Sequence, residues 1–220
     1  IALEILSDML YNPSLSPDDM ALERQVIKEE IRMYEDSPED LVYDLSSYAA
    51  WGDTPMGRTI LGTYESLDGI TPDIMRNYMN NHYTSANTII SVSGNFDDTF
   101  FELLEKYFGT KKMLDTKPYL PDAPYISKNN IVKEKDIEQV QLVATFKGID
   151  VMDESVYSLL VFNNVFGSGM SSRLFQNIRE QRGLVYSISA GHSAYINTGV
   201  FDISAGMSPE SLGEVAHLIS

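Results

Sequence analysis

Three stretches of this chain combine residue types that could do chemistry. The first is Leu22-Glu23-Arg24-Gln25-Val26-Ile27-Lys28-Glu29-Glu30-Ile31. Seven residues of α-helix turn through about 700°, so Glu23 and Glu30 stand nearly above one another, with Val26 and Ile27 between them. Carboxylates on such an apolar stripe are costly unless something compensates them. A metal ion would do so, one Glu coordinating it and the other orienting a ligand. A partly solvated face with Arg24, Lys28 and Arg32 as partners would do so too. The second stretch is Phe166-Gly167-Ser168-Gly169-Met170-Ser171-Ser172-Arg173-Leu174-Phe175. Gly167 and Gly169 let backbone N–H groups approach a ligand, and Ser171 or Ser172 can cap the next helix. It lacks the Gly-Lys-Ser/Thr ending of a phosphate-binding loop, and a plain helix–helix turn accounts for it equally. The third is Arg179-Glu180-Gln181-Arg182-Gly183-Leu184-Val185-Tyr186. Arg179 near a helix end and Tyr186 on the next strand could hydrogen-bond a peptide carbonyl and stabilise a developing oxyanion. A dipole-complementing Arg and a half-buried sheet Tyr are the structural alternative.

Other chemistries are excluded or unsupported. The 220 residues contain no cysteine, which removes disulfides, thiolate metal sites and thiol nucleophiles together. His82, His192 and His217 are scattered, with no H-x-x-x-H or H-x-H spacing and no arguable Ser–His–Asp set. Acidic residues number 32 against 16 basic, a net charge of −16, which opposes broad contact with nucleic-acid phosphate or anionic lipid. An apolar content of 43% with 10% aromatics is that of a folded domain rather than a disordered chain. No apolar run is long enough to span a membrane and no signal-peptide pattern opens the chain, so a soluble cytoplasmic protein is expected.

The elements that must position these residues are readable in outline. Ser16-Pro17-Asp18-Asp19, Ser37-Pro38-Glu39-Asp40 and Thr71-Pro72-Asp73 each join an N-cap, a proline at the first helical position and an acidic first turn. They predict helices over 17–34, 38–50 and 72–82. Thr88-Ile89-Ile90-Ser91-Val92-Ser93-Gly94 reads as a buried strand, Asp97 to Phe108 as a helix, and the surroundings of Trp51-Gly52-Asp53 and Gly57 as a long loop. Pro118, Pro121 and Pro124 mark a linker near 109–127. Beyond it, 138–147, 184–193 and 199–207 read as strands and 153–166 and 171–182 as helices, with another helix opening at Ser208-Pro209-Glu210. Long helices without βαβ alternation predict an α+β fold, helices packed on mixed, largely antiparallel sheets. The chain opens at Ile1 and ends at Ser220 inside helical patterns, and so reads as a piece of a longer protein.

In this order, four segments resemble the zinc metallopeptidases of the pitrilysin–insulinase type, especially the bacterial relatives of mitochondrial processing peptidase. They are Leu22 to Glu30; Met56-Gly57-Arg58-Thr59-Ile60-Leu61-Gly62; His82-Tyr83-Thr84-Ser85-Ala86-Asn87 running into Val92-Ser93-Gly94-Asn95; and Gly169 to Tyr186. The resemblance implies an inverted H-x-x-E-H zinc motif whose Glu is the general base, with a later Glu as third ligand. Glu30 matches that ligand and Glu23 the acidic residue supporting it. Arg179 and Tyr186 match a pair reaching the substrate and its oxyanion, and Gly167, Gly169 and Ser171 lie in a loop associated with substrate entry.

The family fold implies two similar α+β halves around a chamber, divided here as 1–112, a linker at 113–127, and 128–220. It further implies peptides or unfolded protein as substrate and, in bacterial relatives, frequent assembly as a homodimer. The acidic balance favours basic peptides. H-x-x-E-H itself is absent from the 220 residues, since no two histidines lie four apart, and is expected upstream of Ile1. One ligand of three is too few for a catalytic zinc, so the chain alone is expected to bind zinc weakly and cleave nothing. A non-catalytic scaffold or partner subunit of the same fold, or an acidic module that captures a peptide on a sheet edge, are the competing expectations.

Overall fold

A computed structural model of the chain describes residues 1–109 and 126–219. The helices are α1 (Ala2–Tyr11), α2 (Pro17–Asp36), α3 (Pro38–Trp51), α4 (Tyr64–Asp68), α5 (Pro72–His82), α6 (Thr99–Phe108), α7 (Val156–Phe166) and α8 (Leu212–Ile219), and the strands β1 (Val140–Lys147), β2 (Ser187–Ala194) and β3 (Gly199–Met207). The Ser-Pro and Thr-Pro signals open helices as their chemistry requires. Ser37 accepts from the Asp40 N–H and Thr71 from the Ile74 N–H, with proline at the position that has no N–H to lose.

Two compact units result, dividing inside α2 between Glu30 and Ile31. One joins Ile1–Glu30 to the described residues from Gly62 to 109; the other joins Ile31–Leu61 to those from 126 to 219. Residues 31–61 therefore group with the sheet rather than with the sequence before and after them. Most of the proline-rich stretch expected as a linker lies outside the described residues.

The first unit is helical. α1 packs on α6, with Tyr11 and Phe108 meeting edge to face at 5.8 Å. Thr88 to Gly94, expected as a buried strand, joins no ladder among the described residues, and Ile89 is 94% exposed. Its β-branched residues favour extended backbone, but a strand exists only when a neighbour accepts its hydrogen bonds.

The second unit holds a three-stranded antiparallel sheet in the order β1-β3-β2, with Val140 opposite Met207 and Ser187 opposite Gly206. Side chains alternate along β3. Phe201, Ile203, Ala205 and Met207 are buried with Ile188, Ala190, Leu174, Ile178 and Val215, beneath α7, α8 and the segment before β2. The opposite face carries Ser204 beside Ser189, Asp202 beside Gly191 and Thr145, and Gly206 beside Ser187 and Gln141. At its far end Trp51 and Ala50 of α3 pack on Val200, and Trp51 meets Tyr195 edge to face. Trp51, expected in a loop, thus ends a helix, and Gly52 at φ 60° turns the chain away. Ser127 fastens the returning chain there, its N–H bonding the Ala50 carbonyl and its hydroxyl that of Ala49.

Gly167 fixes the chain on this scaffold. Its carbonyl accepts the Ala190 N–H at 3.0 Å, and a Cβ at Gly167 would fall 2.4 Å from the Ala190 Cβ. Gly169 faces open space. Gly167→Ala is expected to destabilise the chain by about 1–3 kcal/mol through overpacking, while Gly169→Ala should change it by no more than about 0.5 kcal/mol. Denaturant unfolding of the two variants tests this, and equal effects would contradict it.

On this second face, Thr145 donates to Asp202 at 2.6 Å. Burial raises the Asp202 carboxyl above its ordinary range, opposed by the Thr145 hydrogen bond and the His192 charge. The folded state therefore holds this proton more tightly than the unfolded state. The stabilisation is present below the ordinary carboxylate range and lost as pH rises through the raised value. Asp202→Asn keeps an acceptor for Thr145 and removes the charge. It should unfold at a higher temperature than the parent at pH 7, the gap closing as the solution is acidified; a pH-independent gap would refute this cause.

Candidate functional site

The facing of α2 differs from the stripe that its spacing suggested. Ile31 is buried and Arg24, Ile27 and Lys28 are half-buried, so the inward face runs through positions 24, 27, 28 and 31. Arg24 donates to the carbonyls of Leu67 at 3.0 Å and Ile70 at 2.8 Å, and Lys28 pairs with Asp68 at 2.7 Å. These carbonyls belong to the C-terminal end of α4 and just beyond it, whose partial negative charge suits cations. The long basic side chains bury their stems and reach polar groups with their heads. Glu23, Val26 and Glu30 are turned outward in consequence, all exposed. Arg24 and Lys28 are occupied elsewhere and do not neutralise the two carboxylates. Glu23 and Glu30 are about 10 Å apart along the helix axis, so one can reach an ion while the other acts on a neighbouring group.

The glycine-containing segment has a buried and an open part. Gly167 is pressed on β2; Gly169 and Ser171 are exposed. Ser172 is the serine that caps: it is 2% exposed and its hydroxyl accepts from the Phe175 N–H at 3.4 Å.

The helix expected over 171–182 takes another form. After Arg173 and Leu174, residues Phe175–Glu180 wind as a π-helix, and the Gln181 N–H reaches the Gln176 carbonyl five residues back at 3.0 Å. Gly183 at φ 64° ends the segment by donating to the Arg179 carbonyl at 3.0 Å. Ile178 points into the core while Arg179 faces out, its guanidinium 4.7 Å from the Phe175 ring centre and 3.8 Å from the Glu180 carboxylate. A π-turn inside a helical segment is costly and concentrates where side-chain aim matters.

A second irregularity sets Tyr186. Ser187 is the ladder partner of Gly206, yet the Tyr186 N–H also bonds the Gly206 carbonyl, at 2.8 Å. Two residues thus oppose one, the signature of a β-bulge, which re-aims the side chain it carries. Val185 remains in the core and Tyr186 stands 65% exposed, with no partner for its hydroxyl among the described residues. Arg179 and Tyr186 therefore flank one short connection, both outward, each set by a departure from regular geometry. Sequence reasoning found both residues but not the π-turn or the bulge. The Phe175–Arg179 spacing of four was the one available sign of the stacked guanidinium.

Of the histidines, His192 is structural, with Nε2 3.2 Å from the Ile149 nitrogen and 3.0 Å from its carbonyl oxygen. Among the described residues, no three of His, Cys, Asp and Glu are placed to hold a metal ion, and no helix is long and apolar enough to cross a membrane.

Comparison with known proteins shows the family. The sequence model described as Peptidase M16 inactive domain matches residues 69–220, and that described as Insulinase (Peptidase family M16) matches residues 1–64. The chain is 39% identical over 218 residues to the uncharacterized zinc protease YmxG of Bacillus subtilis, covering 99% of this chain and 53% of that protein. It is 36% identical over 213 residues to an uncharacterized zinc protease of Rickettsia felis, covering 96% and 51%. The chain thus spans about half the length of these relatives. Its fold is that of a protease from Helicobacter pylori, with a TM-score of 0.83, 23% identity and coverage of 99% of this chain and 55% of the other. The same holds for a peptidase M16 inactive domain from Pseudomonas fluorescens, at TM-score 0.80, 20% identity and coverage of 99% and 54%. Two models of one family, fitted in succession along the sequence, place the chain in peptidase family M16.

Proposed function

We propose that this chain is the central portion of a zinc-dependent endopeptidase of the processing-peptidase and insulinase type. The observation that carries the reading is the succession of the two family matches, 1–64 and 69–220, over a chain similar to proteins named zinc proteases. The geometry supports it at two points. Glu30 is exposed on α2, with the neighbouring cations Arg24 and Lys28 committed to α4 and Asp68, and is free to serve as one ligand of a zinc ion. Glu23, two turns before it, would hold a neighbouring group in place. Arg179 and Tyr186, outward and fixed by the π-turn and the bulge, are donors suited to a substrate carbonyl and to the negative charge that develops on it. Gly167, Gly169 and Ser171 would border the substrate's path.

The described residues do not form a zinc site by themselves. Glu30 supplies one of the three protein ligands that a catalytic zinc takes, and the H-x-x-E-H that the family uses is not in these 220 residues. We assign the remaining ligands to sequence upstream of Ile1. The reading includes a peptide or unfolded-protein substrate, a cytoplasmic location and assembly of two copies around one chamber. A non-catalytic scaffold or partner subunit of the same fold is the second reading. It is favoured by the description of the family model over 69–220 as an inactive domain.

The 220-residue chain should hold well under one zinc per molecule by metal analysis and cleave no peptide. In a longer protein carrying the upstream sequence, Glu30→Gln should lower both zinc content and peptide turnover. Tyr186→Phe should lower turnover about 100-fold with zinc content unchanged. Loss of zinc in parallel would make Tyr186 structural, and a longer protein that binds no zinc and cleaves nothing would establish the scaffold.

A further inference from the structure

A cavity of about 430 Å³ opens beside the π-helical segment, away from Arg179 and Tyr186, neither of which lines it. Arg173, Asn177, Gln181 and Arg182 stand around it, and Leu174 and Ile178, both in the core, form its floor. The irregular winding is what assembles this set. Nine residues of α-helix make two and a half turns, so Arg173 and Arg182 would point to opposite sides of a regular helix. The i→i+5 bonding of Phe175–Glu180 turns each residue through a smaller angle, and both arginines line the same cavity.

The two are not equally engaged. Arg182 pairs with Glu214 at 3.4 Å, so a carboxylate already occupies one guanidinium. Arg173 has no hydrogen bond, ion pair or ring contact among the described residues. In a chain of net charge −16, Arg173 leaves one positive charge at the cavity with no carboxylate partner among the described residues.

We propose that this cavity binds a carboxylate carried on an apolar group, and that its source is the free C-terminus of a peptide ending in an aliphatic residue. The guanidinium fork of Arg173 matches the two oxygens of a carboxylate. Half-buried Phe166 and Leu218 at the cavity wall give the terminal side chain an apolar surface. The choice between a peptide and a fatty acid follows from Asn177 and Gln181. Each carboxamide is both donor and acceptor, so a hydrocarbon chain would strip both of water without pairing them, whereas a peptide's N–H and C=O groups satisfy them. The volume is that of a small-ligand site and takes the last one or two residues of such a peptide. The proposal does not rest on the peptidase reading, because the site contains none of the residues assigned to hydrolysis.

Calorimetric titration of the 220-residue chain tests it with three probes: N-acetyl-Ala-Leu, the same dipeptide with an amidated C-terminus, and octanoate. The acid is expected to bind with a dissociation constant on the order of 1 mM or tighter, the amide about tenfold more weakly. Arg173→Ala should cost the acid about tenfold and leave the amide and the thermal midpoint unchanged; Arg173→Gln, retaining the stem, should show the same loss. Equal binding of acid and amide, undiminished binding by both Arg173 variants, or no binding at about 10 mM acid would overturn the proposal. Octanoate binding more tightly than the peptide would overturn the assigned source.

Discussion

The geometry of the sheet-bearing unit depends on β3 being hydrogen-bonded along both edges. Its two faces then have no freedom. Phe201, Ile203, Ala205 and Met207 must share one side and Val200, Asp202, Ser204 and Gly206 the other. Met207 is fully buried and Ile203 only 3% exposed, so a slip of one residue would bring Asp202 and Ser204 into the core and is excluded by the cost of burying them unpaired. With the register fixed, Gly206 presents its carbonyl at one defined place, and that carbonyl receives the Tyr186 N–H. The bulge, and with it the direction of Tyr186, is thus inherited from apolar packing several residues away. The same packing holds Ile178, the residue before Arg179, and so fixes the side of the π-turn from which the guanidinium emerges.

In the helical unit the decisive interaction is polar. α2 turns inward two cations that bond the end of α4, together with the half-buried Ile27. Arg24 bonds the carbonyls of Leu67 and Ile70, and Lys28 adds the Asp68 carboxylate. That choice decides what the helix shows to the outside, and it is why Glu23 and Glu30 emerge together. Arg24→Ala would therefore act on the carboxylates without touching them, by releasing the rotation of the helix that carries them.

These two cases explain how far the sequence could be read. Helix starts are local chemistry, a serine or threonine side chain on an N–H three residues on with proline where no N–H is needed, and α2, α3 and α5 begin where those residues stand. Strands 138–147 and 199–207 were legible because apolar and polar residues alternate against a core that takes one face. The facing of α2 was not legible, since hydropathy ranks Arg24 and Lys28 as outward residues and cannot register that their heads find carbonyls 43 and 46 residues away, or an aspartate 40 away. Thr88 to Gly94 has strand composition but no ladder, and composition carries no information about partners. Glu30, Arg179 and Tyr186 could be picked out only because their motifs resemble a family in order. Their spacing alone favoured a solvated helix face and a sheet tyrosine.

Two irregularities lie close together in the sheet-bearing unit. A regular α-helix from Ser172 to Arg182, followed by an unbulged strand, would lack the Gln181–Gln176 and Tyr186–Gly206 hydrogen bonds. The chain instead holds a six-residue π-turn and a two-against-one register slip within a dozen residues. Departures from local preference persist only where the surrounding structure overdetermines them, and they cluster where side-chain direction has a use. Here the surroundings do overdetermine them: Gly167 admits the loop to within contact of Ala190, Ser172 caps the turn, Gly183 releases it, and Gly206 receives the bulge. The effect is to aim Arg179 and Tyr186 outward across one connection while sending Arg173 and Arg182 to a separate cavity. Ile178 and Val185 are buried in the same segment, so one backbone path sets both the packing of the core and the outward aim of Arg179 and Tyr186.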